Sequence, residues 1–164
     1  MSDASAPWTA PTDSERLTIL RRSRTIAVLG ASSNASRPSN FVLTYLSSSS
    51  TDYTVWPVNP HEDEILGLRV YASLADLPEP PDIVDVFRRS GDLVDVAHES
   101  VASGASTLWL QLGLYDVDAA NIAREGGLDV VMDRCLKIEH ARFAGGLHLA
   151  GFDTGVISSR RYLS

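Results

Sequence analysis

Cysteine, basic residues and long apolar runs are scarce in this sequence. Its single cysteine, Cys135, cannot form an intramolecular disulfide. No apolar run near the beginning of the chain is long enough to predict a signal peptide or a membrane-spanning helix. These absences indicate a reducing compartment, so we expect a cytoplasmic protein with no membrane partner.

The shortage of basic residues also restricts the partners of the protein. The sequence has 21 Asp and Glu residues but only 14 Lys and Arg residues, which gives a net charge of −7 and an isoelectric point near 4.9. A general nucleic-acid-binding surface needs clustered cations to replace phosphate counterions, so no nucleic-acid partner is expected. An anionic ligand would have to be held in a local pocket.

Metal-binding motifs are missing as well. The histidines show neither HExxH spacing nor a spacing with cysteine that is typical of zinc sites: His61, His98, His140 and His148. No catalytic or structural metal is therefore expected. The acidic residues 62–64 predict only a solvated loop.

Strand and helix signals alternate along the chain. Short apolar runs bounded by Gly, Pro, Asn or Asp predict strands at residues 24–30, 53–58, 82–87, 107–112 and 128–132. Helical patterns lie at residues 13–22, 38–48, 91–103, 116–125 and 134–143, with a brief turn at 74–76. Because parallel strands need crossover helices, this alternation predicts one doubly wound α/β domain with a mainly parallel five-stranded sheet.

The two ends of the chain are expected to differ from this regular pattern. Residues 1–12 contain Pro, Ser and Ala and predict a flexible N-terminal arm, which leaves residues 13–164 as the domain. Glycines alternate with apolar residues in the tail at 144–164, which predicts a terminal hairpin. No repeat and no second domain are indicated.

The connection after the first strand has the composition of an anion-binding turn. Gly30 ends the strand and can adopt a positive φ, and the short polar side chains of Ser32, Ser33 and Asn34 follow it. The next helix would direct its free N–H groups and its positive dipole end into the same turn. The spacing matches neither GxGxxG nor a P-loop, so a Ser- and Asn-rich helix cap remains the alternative interpretation.

Residues that directly follow the other strands would share one edge of the sheet with this turn, because ligands of doubly wound folds bind beyond the carboxyl ends of the strands. Asn59, Pro60 and His61 follow the second strand, and Arg88 follows the third. A dinucleotide site would need Asp or Glu at the end of the second strand to hold the ribose hydroxyls. Asn59 stands there instead, which argues against a dinucleotide.

Several of these residues also have purely structural interpretations. Arg37 precedes Pro38 at a helix start, where a cation opposes the helix dipole unless an anion offsets it, so a binding role is favoured. Arg88 or Arg89 could contact a phosphate or form a weak surface ion pair with a nearby aspartate. Phe87 is more often a core residue at such a position, although an aromatic ring there can also stack on adenine.

Cys135 is the candidate for covalent chemistry. It follows Arg134 at the expected first turn of a helix, where the cation and the dipole would favour the thiolate. Unpaired cysteines are more often small buried apolar residues, and no His–Asp pair is placed to identify a hydrolytic nucleophile. Both interpretations therefore stay open.

Five blocks of the sequence together resemble the small CoA-binding proteins related to the CoA-binding domain of the succinyl-CoA synthetase α subunit. They are GASSNASRPS at 30–39, PVNP at 57–60, VDVFRR at 84–89, LWLQLG at 108–113 and VMDRCLKIEH at 131–140. The blocks span most of the chain in the order that the family shows. The synthetase's second domain, which carries its phosphorylated histidine, has no counterpart in these residues, so synthetase activity is not implied.

The resemblance implies a Rossmann-like fold and a site for coenzyme A or an acyl-CoA. In it Ser32, Ser33, Asn34 and Arg37 would hold phosphates, the turns at 59–61 and 87–88 would flank the nucleotide, Gln111 would follow the pantetheine arm, and Cys135 would lie near the thiol end. Binding without an identifiable catalytic apparatus is the favoured function, with a homo-oligomer or a protein partner left open. The alternatives are a CoA-dependent acyl transferase or ligase fragment that uses Cys135, and an NAD(P)-binding redox sensor.

Overall fold

The fold alternates strands and helices as the sequence predicts. The computed structural model describes residues 6–49 and 51–147. Its strands are Thr25–Leu29 (β1), Thr54–Val58 (β2), Glu64–Ile65 (β3), Leu68–Arg69 (β4), Ile83–Val86 (β5), Thr107–Leu110 (β6) and Asp129–Val131 (β7). Its α-helices are Asp13–Arg22 (α1), Pro38–Leu46 (α2), Leu93–Ala102 (α3), Val117–Glu125 (α4) and Leu136–Ala141 (α5). None of these helices in the described ranges is long and apolar enough to cross a membrane.

Five strands form one parallel sheet in the order β2-β1-β5-β6-β7. The strand β1 lies between β2 and β5, so the chain reverses its direction of progress across the sheet between β1 and β5. In doubly wound folds this switch point leaves a crevice beyond the carboxyl ends of the two strands, because the adjoining connections run to opposite faces. The predicted doubly wound α/β fold with a five-stranded parallel sheet is confirmed.

Helices cover both faces of the sheet and bury separate apolar clusters. On one face α3 and α4 pack against alternate residues of the sheet such as Val86 and Leu110. On the other face α1, α2 and α5 pack against the residues between them, among which Trp109 is fully buried. Strands that are apolar on both faces are what a parallel sheet with helices on each side requires.

The helix and strand ends lie within a few residues of their predicted positions, and specific local interactions define them. The first helix begins after Thr12, whose hydroxyl accepts from the Glu15 N–H at 3.1 Å while the Glu15 carboxylate accepts from the Thr12 N–H at 2.8 Å. The predicted helices at 91–103 and 134–143 are shorter in the structure. A 3-10 turn at Ser90–Asp92 precedes α3, and a π-helix at Arg142–Leu147 follows α5.

A short antiparallel hairpin was not predicted. The strands β3 and β4 pair through Glu64 with Arg69 and Ile65 with Leu68. The two residues between them, Leu66 and Gly67, have φ values of 52° and 77°, which is the conformation of the tight hairpin turn that matches strand twist. The acidic segment before it is therefore part of an ordered connection rather than only a solvated loop.

The N-terminal segment that the structure describes lies against the free edge of the sheet. The Trp8 indole N–H donates to the Val130 carbonyl of β7 at 3.2 Å, and its ring meets Tyr115 edge to face at 5.7 Å. The Arg124 guanidinium donates to the Ala6 carbonyl at 2.8 Å. Residues 1–5 and 148–164 lie outside the described residues. Of the predicted arm, residues 6–8 make the contacts above, and of the predicted hairpin, residues 144–147 belong to the π-helix; the rest of both expectations stays a prediction.

Buried charges join α1 to α5. The Arg16 guanidinium donates to the Glu139 carboxylate at 2.7 Å, and both side chains are buried. Arg142 donates to Asp13 at 2.7 Å, and this hydrogen bond lowers the pKa of the Asp13 carboxyl. Removing either Arg16 or Glu139 would leave the other as an unpaired buried charge. This pair therefore fixes how α1 and α5 pack.

The backbone at Gly30 forms the end of β1 and the start of the site. Its φ is +89°, as the sequence predicts, and a Cβ atom there would lie 2.2 Å from the Phe87 carbonyl oxygen of the neighbouring connection. The close approach that excludes a side chain is therefore to the backbone that follows β5. Glycine at this position allows β1 and β5 to continue side by side up to the switch point.

We expect Gly30→Ala to lower the free energy of unfolding by about 2–5 kcal/mol, since it adds backbone strain and a steric clash. Gly113→Ala is the matched control, because Gly113 has a φ of +91° but no atom within 4 Å of the position of its Cβ. The control should lose only about 1–2 kcal/mol. Urea denaturation measures both values. Equal losses in the two variants would show that the clash with Phe87 is absent.

Asp85 is a buried acid in the middle of β5. It is fully buried beside Val28 and Trp109, and neither carboxylate oxygen has a hydrogen-bond partner among the described residues. Burial raises the pKa of the Asp85 carboxyl well above its usual range. The native state therefore holds a proton that the unfolded chain releases, so this carboxyl destabilises the fold as pH rises through that window.

We expect Asp85→Asn to remove this dependence. The stability of the variant relative to the parent should increase by up to about 1.4 kcal/mol per pH unit from about pH 4 upward, until the native carboxyl ionises. Urea denaturation at pH 4, 5.5 and 7 measures the difference. Parallel pH profiles for parent and variant would contradict a protonated Asp85.

Candidate functional site

A cavity of about 540 Å³ lies at the switch point between β1 and β5. Its walls come from the β1–α2 turn, the start of α2 and the segments that follow β2, β5 and β6. The lining residues are Gly30, Ala31, Ser32, Arg37, Pro38, Ser39, Asn59, Phe87, Arg88, Gln111, Leu112 and Leu114. Seven residues singled out in the sequence thus meet here: Gly30, Ser32, Arg37, Asn59, Phe87, Arg88 and Gln111.

The polar side chains of the β1–α2 turn build the turn itself. Ser32 Oγ accepts from the Asn34 N–H at 3.0 Å, and Asn34 Oδ1 accepts from the N–H and the hydroxyl of Ser36 at 3.0 and 2.7 Å. The Asn40 side-chain amide donates to the Ser32 carbonyl at 2.9 Å and ties the turn to α2. Ser33 and Asn34 line no cavity among those at this edge.

The first turn of α2 offers donors to the cavity. Arg37 occupies the N-cap position without a side-chain capping bond, and Pro38, which has no N–H, begins the helix. The next residue, Ser39, is buried and lines the cavity. Its N–H and hydroxyl are therefore the groups of this helix end that an anion in the cavity could contact.

Ser39 is a site residue that the sequence analysis did not select. The signal for it was available, because a proline at the first helical position implies that the following residue carries the first free N–H. Leu112 and Leu114 were also not selected as site residues. They add apolar surface to the lining of the cavity, and Leu112 is 62% exposed.

Asn59 holds the connection after β2 against the connection after β1. Its side-chain amide donates to the Ala31 carbonyl at 2.7 Å, and its side-chain oxygen accepts from the His61 N–H at 2.7 Å. Pro60 and His61 line a second cavity of about 300 Å³ rather than the first. The two cavities share Gly30, Asn59 and Arg88, so they form neighbouring parts of one groove along the sheet edge.

The residues after β5 and β6 provide a cation, a ring and an amide. Arg88 lies 3.7 Å from the Asp92 carboxylate, in a half-exposed ion pair that contributes little to stability. Phe87 is half-buried and packs against the core cluster under α1, α2 and α5 while it also lines the cavity. Gln111 is buried, and its side-chain oxygen has no partner among the described residues.

Cys135 is not among the residues that line the groove. It occupies the N-cap position of α5, is half-buried against the cluster under α1, α2 and α5, and lines neither the 540 Å³ nor the 300 Å³ cavity. The sequence places it beyond the carboxyl end of β7, two strands away from β1–β5 in the sheet. The segment before it nevertheless lies close to the groove, because the Arg134 N–H donates to the Leu110 carbonyl at 3.3 Å and the Asp133 N–H donates to the carbonyl of the lining residue Leu114 at 3.0 Å. The expected place of Cys135 near the thiol end of a ligand stays a prediction.

The chemistry of the groove is therefore asymmetric. Arg37, Arg88 and the first turn of α2 supply its cationic residues and hydrogen-bond donors. Leu112, Leu114 and the ring of Phe87 form an apolar side. Such a site can hold a ligand that carries phosphate at one end and an uncharged chain or ring at the other.

Comparison with known proteins gives a family for this architecture. Residues 24–141 match the family model described as a CoA binding domain. The Bacillus subtilis protein YneT is 40% identical over 131 residues, which are 80% of this chain and 96% of YneT. An ADP-forming acetate–CoA ligase of Archaeoglobus fulgidus is 33% identical over 81 residues, but these are only 12% of the ligase.

Solved structures agree with this assignment. A protein from Pyrococcus horikoshii superposes with a TM-score of 0.78 at 34% identity, and the match covers 88% of this chain and 100% of that one. A Thermus thermophilus protein gives a TM-score of 0.75 at 42% identity over 80% of this chain and 98% of its own. With its residues 24–141 matched by the family model and relatives matched almost end to end, this chain belongs to the CoA-binding domain family.

Proposed function

We propose that this protein binds coenzyme A or an acyl-CoA in the switch-point groove. The observation that carries the proposal is the placement of Arg37, Arg88 and the uncapped first turn of α2 around one cavity, in a chain of the CoA-binding domain family. Coenzyme A has phosphates that suit the cationic side and a pantetheine arm that suits the apolar side. The phosphates would contact Arg37, Ser39 and the turn at 32–34.

The remaining site residues have roles that follow from their positions. Asn59, Pro60 and His61 border the 300 Å³ part of the groove, where the nucleotide would lie with Phe87 and Arg88 beside it. Gln111 borders the larger part with Leu112 and Leu114, where the pantetheine arm would lie. The unpartnered oxygen of Gln111 is an acceptor suited to an amide N–H of that arm.

Two much longer relatives support binding of a CoA compound as the contribution of this unit. The trans-feruloyl-CoA synthase is 28% identical over 71% of this chain, yet the match covers 18% of the synthase, and the acetate–CoA ligase is matched over 12% of its length. Most of each ligase thus lies outside the shared region. Cys135 lines neither part of the groove, which favours binding over acyl transfer through its thiol.

Titration with nucleotides tests this function directly. We expect CoA to raise the melting temperature in proportion to the logarithm of its concentration, because a ligand that binds only the native state stabilises it. NAD and NADP should produce much smaller shifts, since Asn59 stands where a dinucleotide site has an acidic residue. A larger shift with NAD than with CoA would identify a dinucleotide-binding protein instead. Mass spectrometry of ligand retained on the native protein would identify the acyl group.

Arg37 is expected to contribute a charge-assisted hydrogen bond to ligand phosphate. Arg37→Ala should weaken CoA binding by about 1.5–3 kcal/mol, measured by calorimetry, with little change in the unfolding midpoint because the side chain is exposed. Arg89→Ala is the matched control, since Arg89 is exposed, carries the same charge and lines neither part of the groove. Equal affinities in the Arg37 variant and the parent would remove Arg37 from the site.

A further inference from the structure

The β1–α2 turn already has a carboxylate bound to it. The Ser33 N–H donates to Glu62 Oε2 at 3.1 Å, across 29 residues of sequence. Ser33 is exposed, whereas Glu62 is half-buried. A backbone N–H in a turn of this kind is a donor for anions, and here a side chain of the same protein takes the place of one.

Several hydrogen bonds hold the segment that carries Glu62 in place. Asn59 bonds this segment to the Ala31 carbonyl, and the His61 N–H bonds back to Asn59. On the other side, the Val70 N–H donates to the Asp63 carbonyl at 2.9 Å, which ties the segment to the strand β4. Glu62 is thus held on one side by the bonds of Asn59 and on the other by the bond next to the hairpin of β3 and β4, which the sequence did not predict.

Carboxylate and phosphate compete for the same donors. Both are anions that accept hydrogen bonds from backbone N–H groups, and both are repelled when they approach each other in a partly desolvated site. A phosphate that reaches the Ser33 N–H would therefore have to displace Glu62. A phosphate that stays at Ser39 and Arg37 would still experience the negative charge of Glu62 across the turn.

We propose that Glu62 is a specificity-determining residue that opposes the binding of anionic ligands at the β1–α2 turn. It occupies the Ser33 N–H in the free protein and lowers the affinity for ligand phosphate. It also connects the site to the hairpin of β3 and β4, because displacement of Glu62 by a ligand removes a bond between this hairpin and the turn. This inference rests on the proposed binding of coenzyme A in the groove.

The test compares Glu62→Gln with Glu64→Gln by calorimetry. Glu62→Gln keeps a hydrogen-bond acceptor but removes the charge, and Glu64→Gln removes the same charge from an exposed position in β3 that bonds to no atom of the turn. We expect Glu62→Gln to bind CoA 3- to 10-fold more tightly than the parent, and Glu64→Gln to differ less than 2-fold. Pantetheine, which lacks phosphate, should bind parent and both variants equally.

Each other result contradicts the inference in a specific way. Weaker CoA binding by Glu62→Gln would show that Glu62 contacts the ligand favourably. An equal increase in CoA affinity in Glu62→Gln and Glu64→Gln would show that only the net charge of the protein matters. If the parent does not bind CoA, the proposed function fails. Inorganic pyrophosphate then tests Glu62 separately, because it should perturb the Ser33 amide resonance at a lower concentration in Glu62→Gln than in the parent. An equal response would overturn the inference.

Discussion

The pairing of β1 with both β2 and β5 is the constraint on which the site depends. It places the end of β1 at the switch point, where the adjoining connections leave toward opposite faces of the sheet and leave a crevice between them. The pairing can continue to the last residue only because Gly30 has no side chain to meet the Phe87 carbonyl. The same glycine turns the chain toward α2. One backbone position therefore ends the pairing of β1 with β5 and begins the wall of the groove.

The polar residues of the turn separate into two groups with different tasks. The side chains of Ser32, Asn34 and Asn40 form hydrogen bonds within the protein. These bonds fix the path of the chain into α2. Arg37 and Ser39, at the start of that helix, line the cavity, and the Arg37 side chain makes no capping bond to the helix. Stability and binding capacity thus come from neighbouring residues of one segment. The alternative interpretation of this turn, a Ser- and Asn-rich cap of the helix, does not hold, because the N-cap residue Arg37 has no side-chain capping bond.

Two acids, one buried and one half-buried, lie near the residues of the groove. Asp85 lies in β5, two residues before Phe87 at the cavity wall, and burial raises the pKa of its carboxyl, which favours the uncharged form. Glu62 remains at the surface of the turn and bonds to Ser33. In a protein with a net charge of −7, the charge that a ligand phosphate meets depends on which nearby acids are neutral and which are ionised.

Local patterns in the sequence determined the order and type of the main elements. Apolar runs that end at Gly30, Val58 and Phe87 mark strands of a sheet covered on both faces, and glycine after the first run permits the positive φ found there. Pro38 marked the start of α2, and Arg37 before it marked the N-cap position. Both could be read from the sequence, because the restrictions that proline imposes act on its immediate neighbours. Only the tertiary structure decided that Leu112 and Leu114 line the groove, that Cys135 does not line it, and that Glu62 reaches Ser33. Those contacts depend on strand order and on the packing of distant segments, which short-range periodicity does not encode.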